Sequence, residues 1–165
     1  MRNPAKLRDD VGLARRAAEI ADELLRSSAD VEGIAADVQL ELDFLDVEDL
    51  WDRSGGQRDG YHEPGEEAFE MCEEALQPML DQWRRHRDLG RVEDAKRCCM
   101  GLLLGLHLFE TESETEFRKW AEDVAACLAD RILSTWSNWS PSSEVEAEVA
   151  RFLQKRCPEF ARRGH

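Results

Sequence analysis

The chain has 165 residues, of which 42% are hydrophobic and 35% charged; 22 Lys and Arg against 36 Asp and Glu give a net charge of −14. This length predicts one domain, and its apolar content with five Trp is enough to fill a core, which excludes wholesale disorder. The acidic balance argues against a nucleic-acid binder, whose phosphate contacts need a basic face, and against docking on anionic lipid.

Met1 to Asp10 carries no apolar run of the secretory type. The longest nearly apolar run, Cys98 to Phe109, is too short to span a bilayer, so a cytoplasmic protein that does not enter a membrane is expected. Residues 5–27 then place Leu7, Val11, Ala14, Ala18, Ala21 and Leu25 on one helix face, and Ser27-Ser28 interrupts the pattern. Asp30 is positioned to cap a second helix with Val31, Ile34, Ala35, Val38, Leu42 and Leu45 inward. Asp46 to Asp49 reads as a new N-cap followed by a short turn carrying Leu50 and Trp51, or as a continuation of the second helix.

The helical pattern disappears from Arg53 to Gly65, which holds four glycines, and this loop is a possible sub-boundary within a single domain over residues 1–165. A third helix is predicted from about Glu66 to Leu89, with Phe69, Cys72, Leu76, Met79, Leu80 and Trp83 inward and a kink or division at Pro78. A fourth, from about Val92 to Glu110, is apolar on most sides and is expected at the centre of the bundle.

Two capping-box matches, Thr111 with Glu114 and Ser113 with Glu116, precede a long fifth helix to about Trp136. Its buried side is expected to carry Phe117, Trp120, Val124, Cys127, Leu128, Ile132 and Trp136. Ser140-Pro141 stops it. Ser143 to Glu146 opens a sixth helix with Val145, Val149, Phe152 and Leu153 inward, and the tail over residues 158–165 is expected to fray. No strand pattern is evident. The expected class is all-α, with six to seven antiparallel helices in a bundle or a degenerate helical-repeat array.

Leu89-Gly90-Arg91-Val92-Glu93-Asp94-Ala95 resembles the turn of a tetratricopeptide-type helical hairpin, in which a Leu-Gly pair ends one helix and a small Ala lets the next pack closely. The resemblance covers about residues 69–109, a single hairpin, without the family's aromatic and Pro positions. It implies a scaffold of the kind that binds proteins or peptides, and it carries no catalytic residues.

Five cysteines, at 72, 98, 99, 127 and 157, without a secretory leader predict reduced thiols, and the adjacent Cys98 and Cys99 read as buried thiols on a helix. The chain has no phosphate-binding glycine loop, no nucleophile elbow and no Glu-x-x-His pair, and no cofactor is expected. Gly101 and Gly105, one turn apart among leucines, predict a close helix–helix approach.

Acids cluster in two tracts free of Lys and Arg. Asp37, Glu41, Asp43, Asp46, Glu48, Asp49 and Asp52 form the first, and Glu63, Glu66, Glu67, Glu70, Glu73 and Glu74 the second. If the fold joins them, the resulting surface favours a basic protein partner. The expected function is therefore a non-catalytic interaction or scaffold module, with Asp43, Asp46, Glu48, Asp49 and Asp52 as partner-binding acids and Trp139 as an aromatic anchor. A homodimer is also compatible with the pattern. The alternative is a helical-bundle enzyme or a binder of a small ligand or metal, built from His107 on the central helix with Tyr61 and His62 in the 53–65 loop.

Overall fold

The computed structural model describes residues 10–20, 30–139 and 142–163. Residues 10–20 are helical and exposed throughout. Leu7, Ala21 and Leu25 of the first expected stripe, the Ser27-Ser28 break and the Ser140-Pro141 stop lie outside the described residues.

Side-chain caps open the first two core helices. The Asp30 carboxylate accepts the Gly33 N–H at 3.1 Å and opens α1, Val31–Asp43. Asp46 does the same for the Glu48 N–H at 2.9 Å and opens α2, Val47–Arg53. The stretch expected to be a loop instead makes a small antiparallel hairpin, β1 (Gly55–Gln57) and β2 (Gly60–His62), with Gly56 paired to Tyr61. Three-residue strands rich in glycine leave no alternation to read, which is why sequence pattern alone misses them.

Pro64 sits in the first turn of α3, Pro64–Asp88, where its missing N–H costs nothing. Pro78 lies inside this helix without dividing it. The helix ends in a Schellman turn: the Arg91 N–H donates to the His86 carbonyl and the Gly90 N–H to the Arg87 carbonyl, both at 2.9 Å. Gly90 takes φ +70°, which a side chain resists.

α4, Val92–Glu112, is the central helix, as expected, and packs against α1, α3 and two later helices. The expected fifth helix is two. α5 is a single turn, Glu116–Trp120, capped by Thr115, and α6 runs Val124–Trp139. The chain turns at Ala121, whose buried methyl lies between them, so Phe117 and Val124 point inward while Trp120 and Cys127 are exposed. Apolar spacing continues across this corner and hides it from the sequence. Ser142, one residue before the expected cap, accepts the Val145 N–H and opens α7, Ser143–Arg156. The tail to Arg163 is not frayed: α8, Pro158–Arg163, buries Phe160 almost completely.

The chain is thus an all-α bundle with nine helical segments among the described residues, more than the six or seven expected because of the corner at Ala121 and the ordered tail. One continuous core runs from Ile34 to Phe160. None of these helices is long and apolar enough to cross a membrane.

Candidate functional site: an acid-walled groove beside a tryptophan pair

The N-terminal turns of α3 and the α5–α6 corner face each other across a groove of about 620 Å³. Helical spacing puts Glu66, Phe69 and Glu70 on one side, and Glu63 and Gly65 also line the groove. The corner supplies Trp120, Glu122, Asp123, Val124 and Cys127. The floor is therefore apolar and aromatic, and five carboxylates stand around it.

Trp120 is 44% exposed and Trp51, from α2, 43%. Their rings meet edge to face with centroids 4.5 Å apart. This pair extends the aromatic floor onto the surface. Glu63, Glu66, Glu122 and Asp123 make no ion pair with any described residue; Glu70 touches Arg53 only at 3.9 Å. Four carboxylates therefore stand beside a half-exposed Trp without a cationic partner among the described residues.

The neighbouring acids have structural work. Arg53 donates to Glu67 at 3.2 Å and to both oxygens of Glu74 at 3.1 and 2.9 Å. These contacts hold the Glu74 carboxyl below its ordinary range and raise the Arg53 guanidinium. The Glu67 side chain, nearly buried, also binds His62 Nδ1, while His62 Nε2 lies 3.0 Å from Asp59. Hydrogen bonds from Glu67 and then Asp59 raise the His62 pKa. The hairpin is thus clasped onto α3, which fixes the stretch leading into the groove. Glu73 is engaged by Arg131 at 2.5 Å, and that guanidinium sits 4.9 Å over the Phe69 ring.

The two acidic tracts do meet, across α2 and α3: Asp49 and Asp52 share a cleft of about 470 Å³ with Arg53 and Glu74. Of the other acids expected to bind a partner, Asp43 accepts the Ser113 hydroxyl at 2.6 Å, Asp46 caps α2 and Glu48 lies in the first turn of that helix. Trp139, expected as an aromatic anchor, is not fully exposed. It is half-buried, 4.4 Å from the Trp83 ring and covered by the Arg87 guanidinium at 4.2 Å.

The residues of the alternative ligand site do not converge. His62 belongs to the clasp, Tyr61 points into solvent, and His107 faces the Phe160 ring at 6.0 Å. His107 Nδ1 is buried without a partner among the described residues, so the ring lacks the hydrogen bond expected of a core histidine there. No group of three or more His, Cys, Asp or Glu among the described residues is arranged to hold a metal ion.

Sequence reasoning missed Glu122, Asp123 and the exposure of Trp51 and Trp120. The available signal was the acid pair Glu122-Asp123, set one residue after Trp120. Gly101 and Gly105, in contrast, do what their spacing predicts and sit directly under Ile34 and Val38 of α1. Against known proteins, no family model matches the chain, and no curated protein or solved structure matches it.

Proposed function

We propose that this chain is a non-catalytic protein-interaction module whose groove seats a basic, amphipathic segment of a partner protein. The observation that carries the reading is the juxtaposition of an aromatic floor, Phe69 and Trp120, with four carboxylates, Glu63, Glu66, Glu122 and Asp123, that make no ion pair among the described residues. Apolar side chains of the partner cover the floor and supply most of the affinity; Lys or Arg at its edges meet the carboxylates and speed encounter. The net charge of −14 adds a long-range field of the same sign.

The test is calorimetric titration with a synthetic Lys/Leu amphipathic helix at low and high salt. Binding is expected, weakened by salt because the carboxylates are exposed. Trp120→Ala is expected to weaken it about tenfold or more, the scale of a central aromatic contact. The paired reversal Glu66→Lys/Glu122→Lys is expected to abolish it. Undiminished binding by the charge-reversed chain refutes the reading.

A further inference from the structure

We propose that a cavity at the far end of α3 from the groove binds a small aromatic carboxylate, its acid group meeting Arg87 and the start of α4 and its ring lying against tryptophan. This site goes beyond the groove reading and does not depend on it.

The turn that ends α3, the first turn of α4 and the last turn of α6 enclose a cavity of about 240 Å³. That is just below the range of sites for drug-sized ligands and suits one small molecule. Val92, Ala95, Trp136 and Trp139 give it apolar walls, two of them flat indoles. Arg87 and Arg91 also line it, and no acid does, in a chain whose net charge is −14.

Three features of this lining call for an anion. Trp136 is only 3% exposed, and its Nε1–H has no hydrogen-bond partner among the described residues. An indole N–H can only donate, and burying it unpaired is costly, so it calls for an acceptor. α4, twenty-one residues long, opens on Arg91 without a side-chain cap, and the N–H groups of such a helix start favour a negative group. The acids of that first turn are already matched, Asp94 by Arg91 at 2.8 Å and Glu93 by Lys96 at 2.7 Å. The Arg87 guanidinium lies 4.2 Å over the Trp139 ring, and the acid it meets is its exposed chain neighbour Asp88. Mostly apolar walls beside one planar, fork-shaped cation favour a singly charged planar carboxylate over a phosphate. The indoles favour an aromatic body behind it.

Calorimetric titration of the full-length chain with benzoate, phenylacetate and indole-3-acetate tests the site. At least one of these acids is expected to bind, and its neutral amide to bind about tenfold more weakly or worse, the scale of a charge-assisted hydrogen bond. Arg87→Gln, at an exposed position, is expected to weaken the acid about tenfold. Trp136→Phe keeps an aromatic wall and removes the buried donor; with its fold verified by circular dichroism, it is expected to weaken the acid several-fold. Glu66→Lys/Glu122→Lys is expected to leave this binding unchanged, because the groove is a different site. Failure of all three acids to bind at several millimolar overturns the proposal. So does an amide that binds as tightly as its acid, an affinity that Arg87→Gln leaves unchanged, or binding that is lost with the groove reversal.

Discussion

A Cβ placed on Gly105 would lie 2.4 Å from the Cβ of Val38. The equivalent position on Gly101 would lie 2.6 Å from the Cβ of Ile34, and both would also crowd backbone carbonyls of α1, at 2.9 Å from Ala35 and 3.1 Å from Val31. Two glycines one turn apart therefore set how deeply α1 sinks onto the central helix. Backbone oxygens cannot swing aside as a flexible side chain would.

Gly105→Ala is accordingly expected to destabilise the chain. Overpacking of this kind costs about 1–3 kcal/mol, while alanine returns about 1 kcal/mol of helix propensity. Because backbone is among the crowded atoms, the upper part of that range applies, and the net expectation is a loss of about 1–2 kcal/mol in urea unfolding. Adding Val38→Ala to Gly105→Ala is not expected to recover the loss, since alanine keeps the Cβ at 2.4 Å, leaves the Ala35 carbonyl in place and gives up buried methyls. A Gly105→Ala chain as stable as the original would mean that α1 does not lie this close.

The first helices of the core are legible in the sequence because their causes are local. Asp30 and Asp46 cap within three residues, and Gly90 ends α3 within the same turn. The exposure of the tryptophans is not legible. Trp139 lies just beyond an inward stripe, and its half-burial comes from Trp83 and Arg87 on another helix. Trp120 fits an inward stripe by spacing, but the corner at Ala121 rotates it outward. The groove joins Glu66 to Glu122 over more than fifty residues, and no local pattern carries that relation.

The clasp between the hairpin and α3 has its own pH signature. Glu67 and Asp59 raise the His62 pKa above its ordinary 6.5. The stabilisation from His62 is therefore complete below 6.5 and is lost as pH rises through the raised folded value. Asp59 is held below its ordinary 3.8 by His62, so its part is present above 3.8 and lost only on strong acidification. The difference in urea midpoint between the unaltered chain and His62→Gln is expected to shrink from mildly acidic to alkaline buffer. A difference that stays constant across that range would show that the ring contributes packing and no charge.

His86 behaves in the opposite sense. It is fully buried on α3, and neither ring nitrogen has a hydrogen-bond partner among the described residues. Burial lowers its pKa; the Asp94 carboxylate opposes this and Arg91 adds to it. The folded chain thus holds a neutral imidazole, and stability is full above 6.5 and falls as pH drops through that unfolded value toward the lowered folded one. Replacing the ring by an apolar side chain removes two unsatisfied polar atoms, each of a kind that costs about 1–3 kcal/mol when buried. His86→Leu is expected to raise stability by about 1 kcal/mol near neutrality and by more in mild acid. A destabilised His86→Leu chain would mean that the ring nitrogens are satisfied in solution, by water or by a bound group.

The thiols give a direct readout of the groove. Burial pushes Cys72 and Cys98 up to about 12 and Cys157 to about 11, and raises the fully buried Cys99 well above its ordinary value. Since the thiolate is the reacting species, all four are inert in the folded chain. Cys127 is exposed and lines the groove next to Val124. Native labelling with a maleimide at neutral pH is therefore expected to modify Cys127 alone, and labelling in denaturant all five. Saturating Lys/Leu helix is expected to slow the Cys127 reaction several-fold, because an occupant of the groove covers its Sγ. If the rate is unchanged while calorimetry records binding, the peptide sits elsewhere on the acidic surface, and the cleft formed by Asp49, Asp52 and Glu74 becomes the place to look.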